Sequence, residues 1–522
     1  MLEHSPTPEV APKAGRREWI GLAVIALPCF VYAMDLTVLN LAVPAISAQL
    51  APSSSELLWI IDIYGFLVAG FLITMGTLGD RIGRRKLLMI GAVAFGVAST
   101  VAAFSSSTEM LIAMRAILGV AGATVAPSTM SLIRNMFHDE HQRQFAIGVW
   151  IASFSVGGAI GPLVGGVLLE FFWWGSVFLV AVPVMVLLLV LGPSLLPEYK
   201  DPNAGRIDLP SVGLSLFGVL STIYGLKRIA ESGLDPLSFG FVVLGIVLGA
   251  VFVRRQRGLD YPLLDLALFK RPTFSAAIAA YALSALAMFG IYIFVTQYLQ
   301  LVLGLSPLAA GMVMLPWSLG FTVGSLVAPR LARLWSPVSL MIWGLAASAA
   351  GFVLVAFAQG PYGLAFLVAG TVVMSLGMAP VFTVGNEMII TAAPPERAGS
   401  ASAISETSAE FSGALGIALF GSLGTVLYRA GLADALPAGL TPQATAAALG
   451  SLGGAVGLAP TLPPDVGPAL LASARSAFED ALQFTAVVGA VLVLGASVLA
   501  ARMLRHVGKP VPAGSASAAA CD

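Results

Sequence analysis

Charge is what this sequence has least of. Only 10% of its 522 residues are Asp, Glu, Lys or Arg, against 58% hydrophobic, and mean hydropathy is +0.92. A soluble globule needs more polar surface than this, and no single core could bury so many apolar runs. The chain therefore reads as a polytopic membrane protein. Histidine is scarce too: His4, His138, His141 and His506 all fall in tails or a loop. No metal centre or His-assisted nucleophile can be assembled from them within a membrane, which removes a membrane enzyme from consideration. ATP-driven pumping is excluded by the lack of any Gly-x-x-x-x-Gly-Lys-Ser/Thr loop. Two cysteines, Cys29 in the first hydrophobic run and Cys521 in the C-terminal tail, lie too far apart in any spanning arrangement to form a disulfide. A formal net charge of zero gives no reason to expect a nucleic-acid partner. Arg16 and Arg17 precede an apolar stretch as in a signal peptide, but that stretch is about twice the length of an h-region and lacks a clear cleavage site. It is expected to remain as the first span.

What is present is a series of runs long enough to cross a bilayer, at about 20 apolar residues per crossing. Spans are expected near 20–47, 57–78, 87–104, 109–133, 144–169, 174–196, 209–227, 237–254, 274–302, 307–329, 338–358, 362–392, 399–428 and 480–503, fourteen in all. Of the 27 Lys and Arg residues, 22 fall in the tails and even-numbered loops, four in odd-numbered loops, and Arg115 lies within a span. By the positive-inside rule both termini are cytoplasmic, in a cell inner (plasma) membrane. Residues 1–18 and 506–522 are expected as cytoplasmic tails, 19–198 as a first six-helix bundle, 199–258 as two linker spans, and 259–505 as a second six-helix bundle. The external loop 429–479 has helix starts at Thr441-Pro442 and Pro464-Asp465, with a bend expected from Gly450 to Gly457. It reads as a helical hairpin over the outer mouth or, on composition alone, as a disordered loop.

Inside these runs sit a few ionisable residues. An acid at mid-helix costs about 2.5–3.5 kcal/mol on insertion scales, so such groups usually face a cavity or a partner. Asp35 lies well inside the run Ile20 to Ile46, and at 1.5 Å per residue Asp62 lies about 7 Å below the outer end of span 2. Arg115, at similar depth in span 4, is expected to pair with or tune Asp35. A nearby cation favours the charged form of an acid and desolvation the neutral form, so the pair is either a proton switch or a static buried ion pair. Glu406 and Glu410 share one face of span 13, about 11 and 17 Å from its inner end, where like charges oppose joint ionisation. Glu387, near the inner end of span 12, can snorkel or pair with Arg397 or Arg330. Trp59, Tyr64, Trp150, Phe154, Met288, Met312 and Trp317 are candidates to line a cavity for aromatic cations, or serve as ordinary packing.

Two stretches are dense in glycine. Gly76-Thr77-Leu78-Gly79-Asp80-Arg81-Ile82-Gly83-Arg84-Arg85-Lys86 joins spans 2 and 3, and its acid can latch onto the positive N-terminus of a neighbouring helix. In span 5, Gly157, Gly158, Gly161, Gly165 and Gly166 surround Pro162, a composition suited to a close-packed, pliable helix. The span 2–3 loop resembles the signature of the major facilitator superfamily, with Gly76, Asp80, Arg81, Gly83 and Arg84 in the conformational latch. Three further stretches resemble its fourteen-span drug:proton antiporter branch, of the QacA and SmvA type. These are Leu111 to Gly119 around Arg115, the span-5 motif (Gly157, Gly161, Pro162, Gly165, Gly166), and Met34 to Pro44 together with Tyr298-Leu299-Gln300 and Ser306 to Gly311.

The resemblance covers about residues 20 to 505. It implies an all-α major facilitator fold of two six-helix bundles plus two extra spans. It also implies a proton-coupled multidrug antiporter that exports lipophilic cations such as quaternary ammonium antiseptics and dyes, with Asp35, Asp62, Arg115, Glu406 and Glu410 in proton and cation coupling. Expected partners are the cation, protons and membrane lipids; no metal or cofactor is expected, the proton gradient being the drive, and the chain is expected as a monomer. One departure is that span 10, from Pro307 to Pro329, lacks the acid of QacA-like exporters, which weakens any expectation of dicationic cargo. Export of an endogenous metabolite, antibiotic, peptide or fatty acid is the alternative, because the motifs report fold and coupling more than cargo.

Overall fold

The computed structural model describes residues 13–200, 208–233, 235–259, 262–393 and 398–504. Among them every regular element is helical, and fourteen helices are long and apolar enough to span a membrane. Spans 1 to 6 run Arg16–Leu50, Ser54–Ile82, Arg84–Ala103, Thr108–Met136, Phe145–Phe171 and Ser176–Leu195. Spans 7 and 8 are Leu209–Ile229 and Pro236–Gln256. Spans 9 to 14 run Pro272–Val302, Pro307–Ala332, Pro337–Ala356, Gly360–Ala392, Ile404–Ala433 and Val466–Met503. An even count brings residues 13 and 504 to the same face, here termed the terminal face, with the opposite one distal.

Side chains at the helix starts explain where many of these helices begin. Ser53 accepts from the Glu56 amide while Glu56 accepts from the Ser53 amide, closing a capping box on span 2. Ser107, Asp235, Ser306 and Ser336 cap spans 4, 8, 10 and 11 in the simpler way. Proline lies inside several spans, as Pro28 and Pro44 in span 1, Pro162 in span 5, Pro316 and Pro329 in span 10 and Pro380 in span 12. Each removes an intrahelical hydrogen bond and allows a bend.

Two large cores hold the bundles, one from spans 1 to 6 and one from spans 9 to 14 that also takes in Val43, Leu57, Leu58 and Ile61 of spans 1 and 2. Glycine sets how closely the helices approach. A Cβ on Gly157 would strike the Phe30 carbonyl, one on Gly161 the Thr37 hydroxyl and one on Gly165 the Val38 side chain, at 2.5 Å, so three motif glycines seat span 5 on span 1. The fourth, Gly166, faces the other half: its Cβ would lie 2.8 Å from the Pro307 carbonyl, and one on Gly311 would lie 2.5 Å from the Pro162 carbonyl. Spans 5 and 10 thus meet backbone to backbone across the halves, which only small residues permit. Spans 7 and 8 pack together through Gly218, Gly225 and Gly245. Span 7 fills the seam between spans 2 and 13, with Ile223 buried against Phe66, Ala414 and Ala418.

The distal loop differs from the expected hairpin. Thr441 and Asp465 do start helices, but the stretch expected to bend is itself helical from Leu452 to Leu458, and only Ser451 interrupts the chain. The second arm is no separate element, since the helix from Val466 runs unbroken to Met503 as span 14. The loop nevertheless lies against both halves. Ser54 donates to the Gly450 carbonyl, Arg429 Nη2 donates to Ser54 Oγ at 3.4 Å, and a Cβ on Gly453 would lie 2.8 Å from Ser47 Cβ.

Candidate functional site

Between the halves lies a cavity of about 290 Å³, lined from spans 1, 2, 4, 5, 9, 10, 12 and 13. Its wall is mostly apolar and aromatic, with Phe154, Met288, Phe289, Tyr292, Trp317, Phe321 and Phe382 contributing most of the bulk. Among the described residues three acidic or basic side chains line it: Asp62, Arg115 and Glu410. Among the described residues, the side-chain hydrogen bonds that join the halves sit at mid-depth or on the distal side. They comprise Tyr32 to Glu410, Gln300 to the Leu41 carbonyl at 3.1 Å, and those of Ser54 and Arg429. The distal side is therefore the sealed one.

Asp35 and Arg115 form a buried ion pair, Nη1 to Oδ2 at 2.5 Å, with the arginine 1% exposed and the aspartate 7%. Arg115 is held on every side. Its Nε donates to the Ile60 carbonyl at 3.1 Å, and its guanidinium lies 4.6 Å from the centre of the Tyr64 ring and 6.0 Å from that of Phe178. Arginine suits this place because a planar, weakly hydrated cation can pair and stack at once.

Asp62 has a partner that reading the sequence missed. Lys227 of span 7 places Nζ 2.9 Å from Oδ1 and 2.8 Å from Oδ2, both side chains being fully buried. The same ammonium sits 3.9 Å from the centre of the Trp59 ring. In the sequence Lys227 adjoins Arg228 at the end of an apolar run and reads as part of the following loop. The helix instead continues to Ser232 and carries Lys227 inside.

The acids of span 13 differ. Glu410 lines the cavity and accepts a hydrogen bond from the Tyr32 hydroxyl at 2.8 Å, across the two halves. Glu406, one turn toward the terminal face, is exposed. Neither makes an ion pair among the described residues. Tyr32 was not anticipated; its ring lies 5.6 Å from Phe154 and 6.0 Å from Tyr64.

Several expected residues lie elsewhere. Of the seven aromatic and methionine candidates, Phe154, Met288 and Trp317 line the cavity. Trp59 stacks on Lys227, Tyr64 is fully buried beneath Arg115, and Trp150 is buried with its indole N–H donating to Thr129 at 2.8 Å. Met312 is 52% exposed, facing away from the cavity. Glu387 is exposed with no ion pair to Arg330, and Arg397 lies outside the described residues. In the span 2–3 loop Asp80 does not cap a helix; it pairs with Arg84 at 2.5 Å, and Arg84 also donates to the Pro127 carbonyl at 3.3 Å. The cap on span 3 is Glu198, which accepts from the amides of Arg85 and Lys86 at 3.1 and 3.2 Å. Gly83 turns the chain there at φ +112°, a conformation that strains other residues, and Gly79 lies against the Arg84 side chain. Gly76 has more room, and Arg81 is exposed.

Comparison with known proteins agrees with this architecture. The family model described as Major Facilitator Superfamily matches residues 25–417. Over 498 residues the chain is 44% identical to the multidrug efflux pump LfrA of Mycolicibacterium smegmatis, spanning 95% of this chain and 98% of that protein. It is 38% identical over 478 residues to the methyl viologen resistance protein SmvA of Salmonella typhimurium, spanning 88% and 93%. Among solved structures, an inward-facing, unoccupied bacterial homolog of the human lysosomal transporter Spinster aligns with a TM-score of 0.66 at 18% identity, over 95% of this chain and all of that one.

Proposed function

Because the chain belongs to the major facilitator superfamily, we propose that it is a proton-coupled antiporter that exports lipophilic cations, quaternary ammonium compounds and cationic dyes among them. One observation carries the reading: Glu410, an acid with no counter-ion among the described residues, faces an apolar and aromatic cavity between the halves. Such a cavity favours a bulky cation through burial, aromatic contact and one carboxylate, and it disfavours an anionic metabolite or fatty acid. The export named for LfrA supports the direction of transport.

In this account a cation enters from the terminal side, assigned to the cytoplasm by the distribution of Lys and Arg, and settles against Glu410. A carboxylate cannot hold a proton and a substrate cation together, so each expels the other; reciprocal linkage makes that competition the coupling. Asp35 and Arg115, a buried ion pair beside the cavity, form a second unit of the coupling. Spans 5 and 10, in glycine-mediated contact, are the helices that part when the distal side opens. Exchange of one proton for one monovalent cation is electrically silent and uses only the pH gradient, about 1.4 kcal/mol per unit. A second proton adds about 2.3 kcal/mol per 100 mV. No cofactor takes part, and one chain suffices.

The test is reconstitution in liposomes with lumenal pH recorded as a quaternary ammonium compound is added, with and without an imposed potential. Substrate-triggered proton movement is expected. A silent but folded protein that moves anions instead would turn the assignment to metabolites and lipids.

A further inference from the structure

Resting on the efflux reading above, a second conclusion concerns what the two extra spans contribute. Beside the cavity, Trp59 and Asp62 form what an organic cation needs, a carboxylate next to an aromatic face. That site already has an occupant from the chain itself. The Lys227 ammonium lies 2.8 and 2.9 Å from the two Asp62 oxygens and 3.9 Å from the Trp59 ring centre, with no exposed surface.

We infer that Lys227 of span 7 is a tethered surrogate cation that fills a second cation subsite, Trp59–Asp62, and so sets the number of positive charges the cargo can carry. The charges around the cavity support this. Asp35 is neutralised by Arg115 and Asp62 by Lys227, so among the described residues that line the cavity the acid with no ion pair is Glu410 of span 13. A cargo with one positive charge is matched at Glu410. A cargo with two separated charges finds its second pole taken. The position of span 7 fits the role: it enters the seam between spans 2 and 13, bringing Lys227 to Asp62 from outside the two bundles, and Gly225 and Gly245 let span 8 brace it from behind. Lys227 is a specificity-determining residue here, and it makes no contact with a cargo at Glu410.

The experiment measures equilibrium binding of tetraphenylphosphonium, one charge, and decamethonium, two charges, to the purified full-length protein. Lys227→Met removes the surrogate and is expected to improve the decamethonium to tetraphenylphosphonium affinity ratio about tenfold, the scale of one added matched charge. Adding Asp62→Asn to that variant should return the ratio to the wild-type value. An unchanged ratio in Lys227→Met, or a gain that survives the second substitution, overturns the inference. If Lys227→Met does not fold, the neutral pair Asp62→Asn with Lys227→Met decides alone. Wild-type ratio and preserved tetraphenylphosphonium binding support the inference, whereas a tenfold loss of tetraphenylphosphonium shows that Asp62 serves the cargo directly and overturns it. Wild-type protein that binds neither cation would sink the efflux reading itself, and this inference with it; a binding wild type with a wrong ratio sinks only the inference.

Discussion

The acids of the first half and those of span 13 are the same chemistry under opposite arrangements. Asp35 and Asp62 each carry a buried cation, Arg115 and Lys227, both 1% exposed. Among the described residues Glu410 is paired with a tyrosine hydroxyl and no cation, and Glu406 is exposed. A buried pair is a neutral unit that is costly to break, about 3–5 kcal/mol when one partner is removed. An unpaired carboxylate at a cavity wall is instead open to exchange between a proton and a cation. Depth in the membrane does not separate these roles, because Asp35, Asp62 and Glu410 all lie well inside spans. The partner does.

Breaking the paired side should have the largest effect. Asp35→Asn is expected to abolish proton-coupled export while the protein still folds, because the amide keeps an acceptor for Arg115; substrate-driven proton flux in liposomes, alongside a folding check, reads both. Wild-type flux in that variant would remove Asp35 from the coupling. Arg115→Met should mainly cost stability, about 3–5 kcal/mol, since it orphans a buried carboxylate. Thermal unfolding in detergent measures this, and an unchanged midpoint would mean that the pair contributes nothing.

The unpaired side should respond more gently to loss of its single support. Tyr32→Phe removes the hydrogen bond that orients Glu410 and is expected to weaken cation binding about fivefold, the value of about 1 kcal/mol. Equal affinity would show that the carboxylate needs no orienting.

The smallest effect belongs outside the membrane. Asp235 caps span 8, and the Ser238 amide and hydroxyl, with Arg228 beside them, hold its carboxyl down at about 2. Since its pKa is depressed on folding, its contribution is present above the ordinary carboxylate range near pH 4 and disappears as pH falls toward 2. Asp235→Asn, which can still cap, should leave transport unchanged from pH 5 to 8. A pH-dependent loss in that window would mean the cap does more than start a helix.

How much of this was legible in the sequence follows from the nature of each signal. Fourteen spans could be read because each is a long apolar run. Asp35 and Arg115 stood out as lone charges at matching depth in separate runs, and they do meet. Lys227 did not stand out, because a lysine at the end of an apolar run beside Arg228 looks like a loop; only the packing of span 7 against span 2 brings it to Asp62. Met312 and Trp317 were grouped together, yet one faces away from the cavity and the other into it. In a helix that is apolar all round, periodicity cannot tell a lipid face from a cavity face. The glycines of span 5 announced close packing, but not that Gly166 reaches across to span 10. The helix starts at Thr441 and Asp465 were readable from local capping chemistry, whereas the continuity of the second arm with span 14 was hidden by the alanine- and glycine-rich composition of the loop.

The central claim is that cation and proton compete at the unpaired Glu410. It is tested most directly by counting the protons released when tetraphenylphosphonium binds to purified protein in weak buffer, for wild type and Glu410→Gln. The account predicts proton release on binding to wild type, with none from the variant and an affinity at least tenfold weaker, the scale of one lost charge contact. Equal release from both proteins, or binding to wild type with no proton released, would contradict it.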